Sequence, residues 1–269
     1  MPSAGRSGTN APMHRRLVLE DPVSRAAIWS RRLAWFGLTV LVLALVMFRR
    51  EPSVPGLAPI AGAYVIVLVA LALALVAFVR IWQAGHRGVG MAAGAFLLCL
   101  AMLAPAAYAG FRYVTLPPGG DVSTDIDDPP SFSRSTAALK ARAGHVPPEM
   151  PAEQRKLQRR AYPKAVSIIL EVPAEAGFAA AQRAATALRW QVVEAIRPGG
   201  RAGAGRIEAI AVNRLTGLVS DITIRIRPRA DGSRIDIRSA SRLGLHDLGE
   251  NARRIASFAE EVEIQMETR

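Results

Sequence analysis

Three stretches of the sequence contain no Asp, Glu, Lys, Arg or His, and they constrain the fold more than any other feature. They cover residues 33–48, 57–79 and 89–111. In a helix that rises about 1.5 Å per residue, the two longer stretches reach roughly 34 Å, and the hydrocarbon core of a bilayer is about 30 Å thick. The shorter stretch can also cross if its flanking arginines extend their guanidinium groups to the headgroups. The sequence therefore predicts three transmembrane helices within residues 26–111.

The arginines beside these stretches predict the orientation of the protein in the membrane. Six arginines precede the first stretch, and two lie in each of the two loops between stretches. Short segments that are rich in basic residues stay in the cytoplasm. This rule places the N-terminus inside and everything beyond residue 111 outside, which in a bacterium is the periplasm. We therefore expect an integral protein of the bacterial inner membrane, with a disordered cytoplasmic tail at residues 1–25 and a periplasmic C-terminal domain.

The formal net charge of +12 does not point to nucleic acid. The positive charge is densest beside the predicted spans, where anionic lipid headgroups and the preference for basic residues on the cytoplasmic side account for it. The single cysteine, Cys99, lies inside the third uncharged stretch, so no intramolecular disulfide is expected. The expected partners are the membrane itself and an envelope protein or an anionic lipid, and nucleic acid is not among them.

Changes in hydrophobic periodicity predict the fold of the chain beyond the spans. Residues 112–164 are rich in Pro, Gly and Asp, and we expect a linker and an irregular segment there, with one short polar helix at about 149–160. Strand patterns follow at about 165–172, 190–196, 206–212, 218–228 and 233–242. One helix pattern begins after Pro173, and a second covers about 248–266. The predicted fold class is α+β. Three N-terminal transmembrane helices precede an extramembrane domain, residues 165–269, in which about five antiparallel strands carry two packed helices.

The last two predicted strands alternate between apolar and polar residues. Ile222, Ile224 and Ile226 face one side of the sheet, where we expect the helices, and arginines and aspartates face the other side. The basic face, which includes Arg225 and Arg227, has two interpretations. It is a solvated face with cross-strand ion pairs, which is the commoner case, or it binds a phosphate or lipid headgroup through bidentate arginines.

Asp121, Asp125, Asp127 and Asp128 lie close together in the sequence. Neighbouring carboxylates can bind Ca²⁺ or Mg²⁺, but this stretch lacks the glycine at the sixth position and the glutamate at the twelfth that an EF-hand loop requires. We expect these acids to cap turns or to pair with the basic face of the sheet rather than to hold a metal ion. The motifs of serine hydrolases, zinc proteases, phosphate-binding loops and thiol oxidoreductases do not occur in the sequence. Neither a metal nor a cofactor is therefore expected.

A polar stretch, SASRLGLHDLGENARRI at residues 239–255, joins the last predicted strand to the last helix. Asp247 is positioned to cap the helix, with Glu250 three residues later, and Gly244 and Gly249 permit a sharp turn. The connection between strand and helix does not require the other polar side chains. An anion pocket at the helix N-terminus is therefore a second interpretation. The candidate ligand-binding residues of the whole chain are Asp121, Asp125, Asp128, Arg225, Arg227, Arg238, Ser241, Arg242, Asp247, Asn251 and Arg254.

Several of these motifs, in this order, resemble the bacterial domain of unknown function 1499 family. The resemblance rests on DVSTDIDDPPSF, RRAYP, GRIEAIAV, SDITIRIRP and IDIRSASRLGLHDLGENARRI, and it covers about residues 121–262. It implies a membrane-anchored protein and brings no biochemical activity with it. The chain departs from the family pattern at Gly119 and Gly120, and at Leu218 and Ser220, where the family tends to have an aromatic residue and an acid.

Taken together, these observations favour a protein without enzymatic activity, whose extracytoplasmic α+β domain binds an envelope partner: a protein, a lipid headgroup or an anionic ligand. The first alternative is a metal-assisted hydrolase that uses the Asp121–Asp128 loop together with Arg242, Asp247 and Asn251. This alternative requires the loop to fold back onto the helix that begins near Asp247. The second alternative is a structural membrane subunit of a larger complex.

Overall fold

The computed structural model describes residues 22–199, 203–244 and 246–267, and most of the tail predicted at residues 1–25 lies outside these ranges. The described chain begins with three helices, α1 (Arg25–Arg50), α2 (Leu57–Ala84) and α3 (Val89–Thr115). All three are long and apolar enough to cross a membrane. The prediction of three membrane-spanning helices is therefore confirmed by their length and composition.

Small side chains lie where the three spans meet. Ala34, Ala70 and Ala95 are buried in the shared contact. At Gly37 of α1, a Cβ atom would lie only 3.1 Å from the side chain of Val67 on α2. Lipid tails are as apolar as the helices, so helix association depends on such close packing rather than on hydrophobic burial. The sequence supplies alanine and glycine at the positions where the backbones approach.

The rest of the described chain contains six strands and four helices. The strands are β1 (Asp121–Ser123), β2 (Ile168–Leu170), β3 (Gln191–Ile196), β4 (Gly205–Val212), β5 (Val219–Arg229) and β6 (Gly232–Ser241). The helices are α4 (Thr136–Ala141), α5 (Ala152–Ala161), α6 (Ala174–Ala187) and α7 (Glu250–Glu267). The α+β fold class is confirmed.

All strand pairs of the sheet are antiparallel, and the order is β1-β6-β5-β4-β3. β2 also pairs with β6, so β1 and β2 share the same edge of that strand. β1 pairs Asp121 with Ala240, and β2 pairs Ile168 with Ile235. The strand at β1 was not expected, because its three residues fall in a segment that the sequence predicts to be a linker. Three residues are too few to show a hydrophobic period, and only the exposed edge of β6 makes them a strand.

The apolar face of the sheet forms the core of the domain with α6 and α7. Ile222, Ile224 and Ile226 are fully buried, as the alternation predicts. Phe258 of α7 is also fully buried, and its ring stacks on Trp190 at 5.4 Å between centroids. Both predicted helices therefore lie on the isoleucine face.

The opposite, charged face of the sheet forms the expected cross-strand ion pairs, but much of it is buried, which corrects the expectation of a solvated face. Asp221 and Asp236 are 0% exposed and Arg238 is 4% exposed. The chain between β1 and α5 covers this face, and its side chains Phe132, Ala138 and Met150 are buried. We call this covered surface the polar face. The covering segment supplies carboxylates to the arginines of the sheet, which makes burial of the charges tolerable.

The domain rests on the ends of two spans. Arg112, near the end of α3, donates from Nε and Nη2 to the carbonyl oxygen of Leu248 at 3.2 and 3.1 Å. A ring nitrogen of His246 lies 3.0 Å from the carbonyl oxygen of Leu116. At Gly217 (φ +74°), in the turn between β4 and β5, a Cβ atom would collide with the backbone of Arg49 at the end of α1. We call these contacts the membrane joint.

Candidate functional site

The polar face contains three sets of arginines and carboxylates. The largest set consists of Asp125, Asp128 and Asp236 with Arg225, Arg227 and Arg234. In its centre, Asp236 Oδ2 lies 2.8 Å from Arg227 Nη2, and Asp236 Oδ1 lies 2.7 Å from Arg234 Nε. Asp125 Oδ2 lies 2.7 Å from Arg234 Nη2. The loop aspartates therefore bind the arginines that the sequence suggested for an anion.

The second set joins Glu208 and Asp221 to Arg142 and Arg242. Arg142 forms ion pairs with both carboxylates, and Arg242 binds Asp221 Oδ1 through Nη2 at 2.8 Å. Glu208 accepts two further hydrogen bonds, both at 2.9 Å, from the Thr223 hydroxyl and a backbone N–H. Burial raises the pKa of Glu208, and the charge of Arg142 opposes that rise. Arg142, which comes from the covering segment, was not among the predicted residues.

The third set is a single pair, Asp121 with Arg238. Arg238 Nη2 lies 2.5 Å from Asp121 Oδ2 and 2.6 Å from the carbonyl oxygen of Pro148. The guanidinium carbons of Arg238 and Arg142 each lie 5.0 Å from the centre of the Phe132 ring. Burial raises the pKa of Asp121, and Arg238 acts in the opposite direction. The two arginines and the ring thus fix the covering segment on the sheet.

Charge is balanced within each of the three sets. The first set contains three carboxylates and three arginines, the second contains two of each, and the third contains one of each. For Asp125, burial by itself raises the pKa. The N–H of Asp128 and three arginines outweigh burial, and the pKa is lowered. An anionic ligand on this face would have to displace an internal carboxylate.

The start of α7 lies against the apolar side of the sheet, and its polar groups are satisfied internally. Asp247 accepts hydrogen bonds from the backbone N–H groups of Gly249 at 2.9 Å and Asn251 at 2.8 Å, as an N-cap does. Glu250 does not complete a capping box, because its carboxylate binds Arg254 at 2.6 Å and Asn213 at 2.9 Å. Asp247 therefore binds free N–H groups at the start of α7, as predicted, but α7 begins at Glu250, two residues later than the sequence pattern indicates.

Asn251 is fully buried and joins three segments of the chain. Its Nδ2 donates to the carbonyl oxygen of Gly120 at 2.7 Å and to the Ser241 hydroxyl at 3.0 Å. Its Oδ1 accepts from Ser239 at 2.7 Å and from Arg254 at 2.6 Å. Ser241, Asn251 and Arg254 therefore connect β6, α7 and the residue that precedes β1.

The structure brings the aspartate loop to the start of α7 only through its backbone. Gly120 accepts the bond from Asn251, whereas the carboxylates of Asp121, Asp125 and Asp128 bind arginines of the polar face. Among residues 22–199, 203–244 and 246–267, no group of three His, Cys, Asp or Glu side chains is arranged to hold a metal ion. The loop does fold back, but its carboxylates do not converge with Asp247 and Asn251.

An apolar pocket beside α7 was missed by the sequence analysis. Its volume is about 350 Å³, and its lining residues are Ala161, Tyr162, Pro163, Lys164, Ala165, Ala252 and Ala256. We call it the α7 pocket. Ala252 and Ala256 are one helical turn apart on α7, and two small side chains at that spacing leave a groove on a helix. This spacing of two alanines was the signal in the sequence from which the pocket could have been predicted.

The α7 pocket adjoins the membrane joint. A Cβ atom at Gly249 would lie 2.9 Å from Leu116, beyond the end of α3, and 3.5 Å from the hydroxyl of Tyr162. Burial raises the pKa of Tyr162, and Asp247 adds to the rise, while Arg112 and Arg253 oppose it. An apolar pocket with cations nearby therefore lies close to the end of a span.

Comparison with known proteins identifies a family for this chain. Residues 121–262 match the family described as Protein of unknown function (DUF1499), as the sequence motifs suggest. The matched range begins at the first residue of β1 and ends at Val262, a residue of α7 that is buried in the core. No curated protein and no solved structure matches the chain. The match covers more than half of the 269 residues, and the chain therefore belongs to the DUF1499 family.

Proposed function

We propose that this protein is a membrane-anchored binding module without enzymatic activity, and that its α+β domain binds a membrane lipid at the α7 pocket. The observation that carries the proposal is the opening of this apolar pocket beside the membrane joint. Ligand pockets are mostly apolar with a few polar groups at defined places, which describes the walls and edge of the α7 pocket.

The chemistry of the pocket fits an amphiphile. Alanine and proline side chains line it, and the pocket suits part of an acyl chain. Lys164 lies in its wall, and Arg112 and Arg253 are close enough to Tyr162 to affect its pKa. A cation at the edge of an apolar pocket favours a lipid with an anionic headgroup.

The membrane joint supports a lipid over a soluble ligand. Arg112 holds the carbonyl oxygen of Leu248 immediately before α7, so the pocket is tied to the end of α3. A lipid in the adjacent leaflet needs to move only a short distance to enter. The polar face does not serve this function, because its arginines are already paired.

The proposed setting is a bacterial inner membrane, with the α+β domain in the periplasm. The distribution of arginines supports this orientation, since six precede the first uncharged stretch and two lie in the first loop. A reporter enzyme that is active only outside the cytoplasm, fused to the C-terminus, should be active. Activity of a cytoplasmic reporter alone would contradict the orientation.

Photocrosslinking tests the lipid proposal in the full-length protein. The protein is reconstituted in vesicles that contain an anionic phospholipid with a diazirine in its acyl chain, and crosslinked peptides are identified by mass spectrometry. We expect crosslinks in peptides that contain residues 161–165 or 252–256, besides those in the spans. Crosslinks confined to the spans would refute the proposal.

A matched pair of variants separates the α7 pocket from the rest of α7. Ala256→Trp fills the pocket and should reduce pocket crosslinks several-fold. Ser257→Trp adds the same side chain to the same helix at an exposed position outside the pocket lining, and it should leave the crosslinks unchanged. Equal crosslinking in the two variants would show that the lipid does not enter the pocket.

A further inference from the structure

A second cavity lies at the opposite end of the spans from the α+β domain. Its volume is about 340 Å³, and its lining residues are Pro22, Val23, Ser24, Arg25, Ala26, Val76, Arg80 and His86. We call it the N-terminal cavity. It is formed by the segment that enters α1, the last turns of α2 and the loop between α2 and α3. The proposed function does not involve it.

Backbone hydrogen bonds fix the shape of the N-terminal cavity. The N–H of Ser24 donates to the carbonyl oxygen of Arg87 at 3.0 Å, and the N–H of Arg87 donates to the carbonyl oxygen of Pro22 at 3.3 Å. Gly88, with φ +124°, lies against this segment, and a Cβ there would be 3.3 Å from Ala27. The two walls of the cavity are therefore bound to each other, so the cavity is built before any ligand arrives.

The two arginines of the N-terminal cavity lack partners among the described residues, and so does one nitrogen of His86. Within the described part of the chain, Arg25 and Arg80 form no ion pair and no side-chain hydrogen bond. The Nδ1 atom of His86 is buried and has no hydrogen-bond partner. Ser24 precedes α1, yet its side chain makes no capping hydrogen bond. Unsatisfied N–H groups and the helix dipole therefore add positive potential at this point.

Carboxylates are scarce in the part of the chain that the structure describes around this cavity. Between residues 22 and 120 the sequence contains one acidic residue, Glu51, and it follows the far end of α1. Glu20 and Asp21 are the nearest acids along the chain and lie outside the described residues. Two guanidinium groups, a helix N-terminus and an unpartnered imidazole nitrogen thus surround one cavity.

We infer that the N-terminal cavity binds the phosphate group of an anionic phospholipid. Guanidinium groups bind phosphate oxygens through paired, charge-assisted hydrogen bonds, and free N–H groups at a helix N-terminus also bind them. The cavity lies at the end of membrane-spanning helices, which is the depth of the headgroups. A lipid phosphate is therefore favoured over free phosphate. The buried Nδ1 of His86 gains a partner when the phosphate enters.

Lipid retention by the full-length protein tests this inference. The protein is purified in detergent, supplied with phosphatidylglycerol or with phosphatidylcholine, and examined by native mass spectrometry. Replacement of both cavity arginines, Arg25→Gln with Arg80→Gln, should weaken phosphatidylglycerol binding by about tenfold or more, because hydrogen bonds between charged partners are lost. Phosphatidylcholine, whose headgroup is neutral overall, should bind weakly to the wild type and to the variant.

A control with the same change in charge distinguishes the cavity from the general attraction of basic residues to lipid. Arg31 and Arg32 lie on α1 at the same end of the spans but do not line the cavity. Arg31→Gln with Arg32→Gln should change phosphatidylglycerol binding by less than about twofold, since only long-range attraction is lost. Equal losses in the two double variants, or no loss in either, would overturn the inference.

Two further measurements decide the role of the cavity. His86→Ala removes the unpartnered nitrogen without changing the arginines, and it should weaken phosphatidylglycerol binding in the same direction as the double variant. Inorganic phosphate, added to the protein that carries phosphatidylglycerol, should not displace the lipid. Displacement would identify free phosphate as the ligand and overturn the assignment to a lipid. Crosslinking at the α7 pocket should remain intact in all these variants, so failure here is distinguishable from failure of the proposed function.

Discussion

Arginines occupy two contrasting environments in this protein. On the polar face, each arginine of the three sets meets a carboxylate, and the sets are balanced in charge. Around the N-terminal cavity, Arg25 and Arg80 have no such partner among the described residues. The same side chain therefore stabilises the fold in one region and remains free to bind an anion in the other. The number of arginines in a region does not distinguish these roles, whereas the number of nearby carboxylates does.

The largest expected effect comes from removing a paired arginine, and the removal of an unpaired arginine is the comparison. Arg238→Gln leaves the carboxylate of Asp121 buried without its partner, which should cost about 3–5 kcal/mol in the free energy of unfolding. Arg80→Gln removes a guanidinium that has no described ion pair, and it should leave that free energy unchanged. Chemical denaturation of the full-length protein in detergent measures both. Similar losses for the two variants would contradict the distinction between the regions.

A smaller effect, with a defined pH dependence, is expected at Asp125. Its pKa is lowered in the folded protein, below the unfolded value of about 3.9. Its contribution to stability is therefore complete above that pH and is lost as the pH falls through the folded pKa. Asp125→Asn should reduce the free energy of unfolding by about 1.5–3 kcal/mol at pH 7.

The pH profile of the Asp125 variant checks this interpretation. The gap in unfolding free energy between wild type and Asp125→Asn should narrow as the pH falls below about 4, because the wild-type carboxylate becomes protonated. Asp127→Asn is the control, since Asp127 is exposed and, among the described residues, forms an ion pair only with the exposed Arg159. A gap that stays constant from neutral pH to strongly acidic pH would show that Asp125 acts through packing rather than charge.

The membrane joint lies between the polar face and the N-terminal cavity. Substitutions of two glycines test its contacts. Gly217 and Gly244 both have positive φ, but only Gly217 lies against the backbone of Arg49. Gly217→Ala adds a collision to the conformational strain, and its cost should exceed that of Gly244→Ala, which is about 1–3 kcal/mol from strain alone. Hydrogen exchange of the turn between β4 and β5 reports the loss of contact. Equal exchange in the two variants would mean that the domain does not rest on α1.

The smallest effect is expected at an exposed ion pair. Arg159 Nη2 lies 2.8 Å from Asp127 Oδ1, but both side chains are largely exposed. Solvent screens such a pair, and its side chains lose conformational freedom when they pair. Arg159→Gln should therefore change the thermal unfolding temperature by no more than the error of the measurement. A loss close to that of Arg238→Gln would show that pairing, rather than burial, sets the contribution of an arginine.

The regular elements of this fold could largely be predicted from the sequence. The uncharged stretches lie inside α1, α2 and α3, and the alternating stretches correspond to β5 and β6. These patterns are local, because a helix or strand with one buried face repeats its apolar residues at a fixed spacing. The sequence did not predict β1, since three residues show no period and become a strand only by pairing with β6.

The candidate residues were found more easily than their roles. All eleven are polar residues in the extramembrane part, and the structure gives each an internal partner. Composition shows that Asp125 and Arg227 are both present, but it does not show that a loop brings them within 2.9 Å. The α7 pocket was missed because its lining combines residues 161–165 with two alanines of a distant helix.

The sequence by itself determined the three spans, the alternating strands and the cap at Asp247, since each depends on residues that are neighbours along the chain. Tertiary structure alone decided which arginines are neutralised and which remain free. The energy of a guanidinium group depends on the charges within a few ångströms and on the water around it, and both are fixed by segments far apart in sequence. The covering of the polar face, and the open N-terminal cavity at the other end of the spans, are therefore properties of the folded protein.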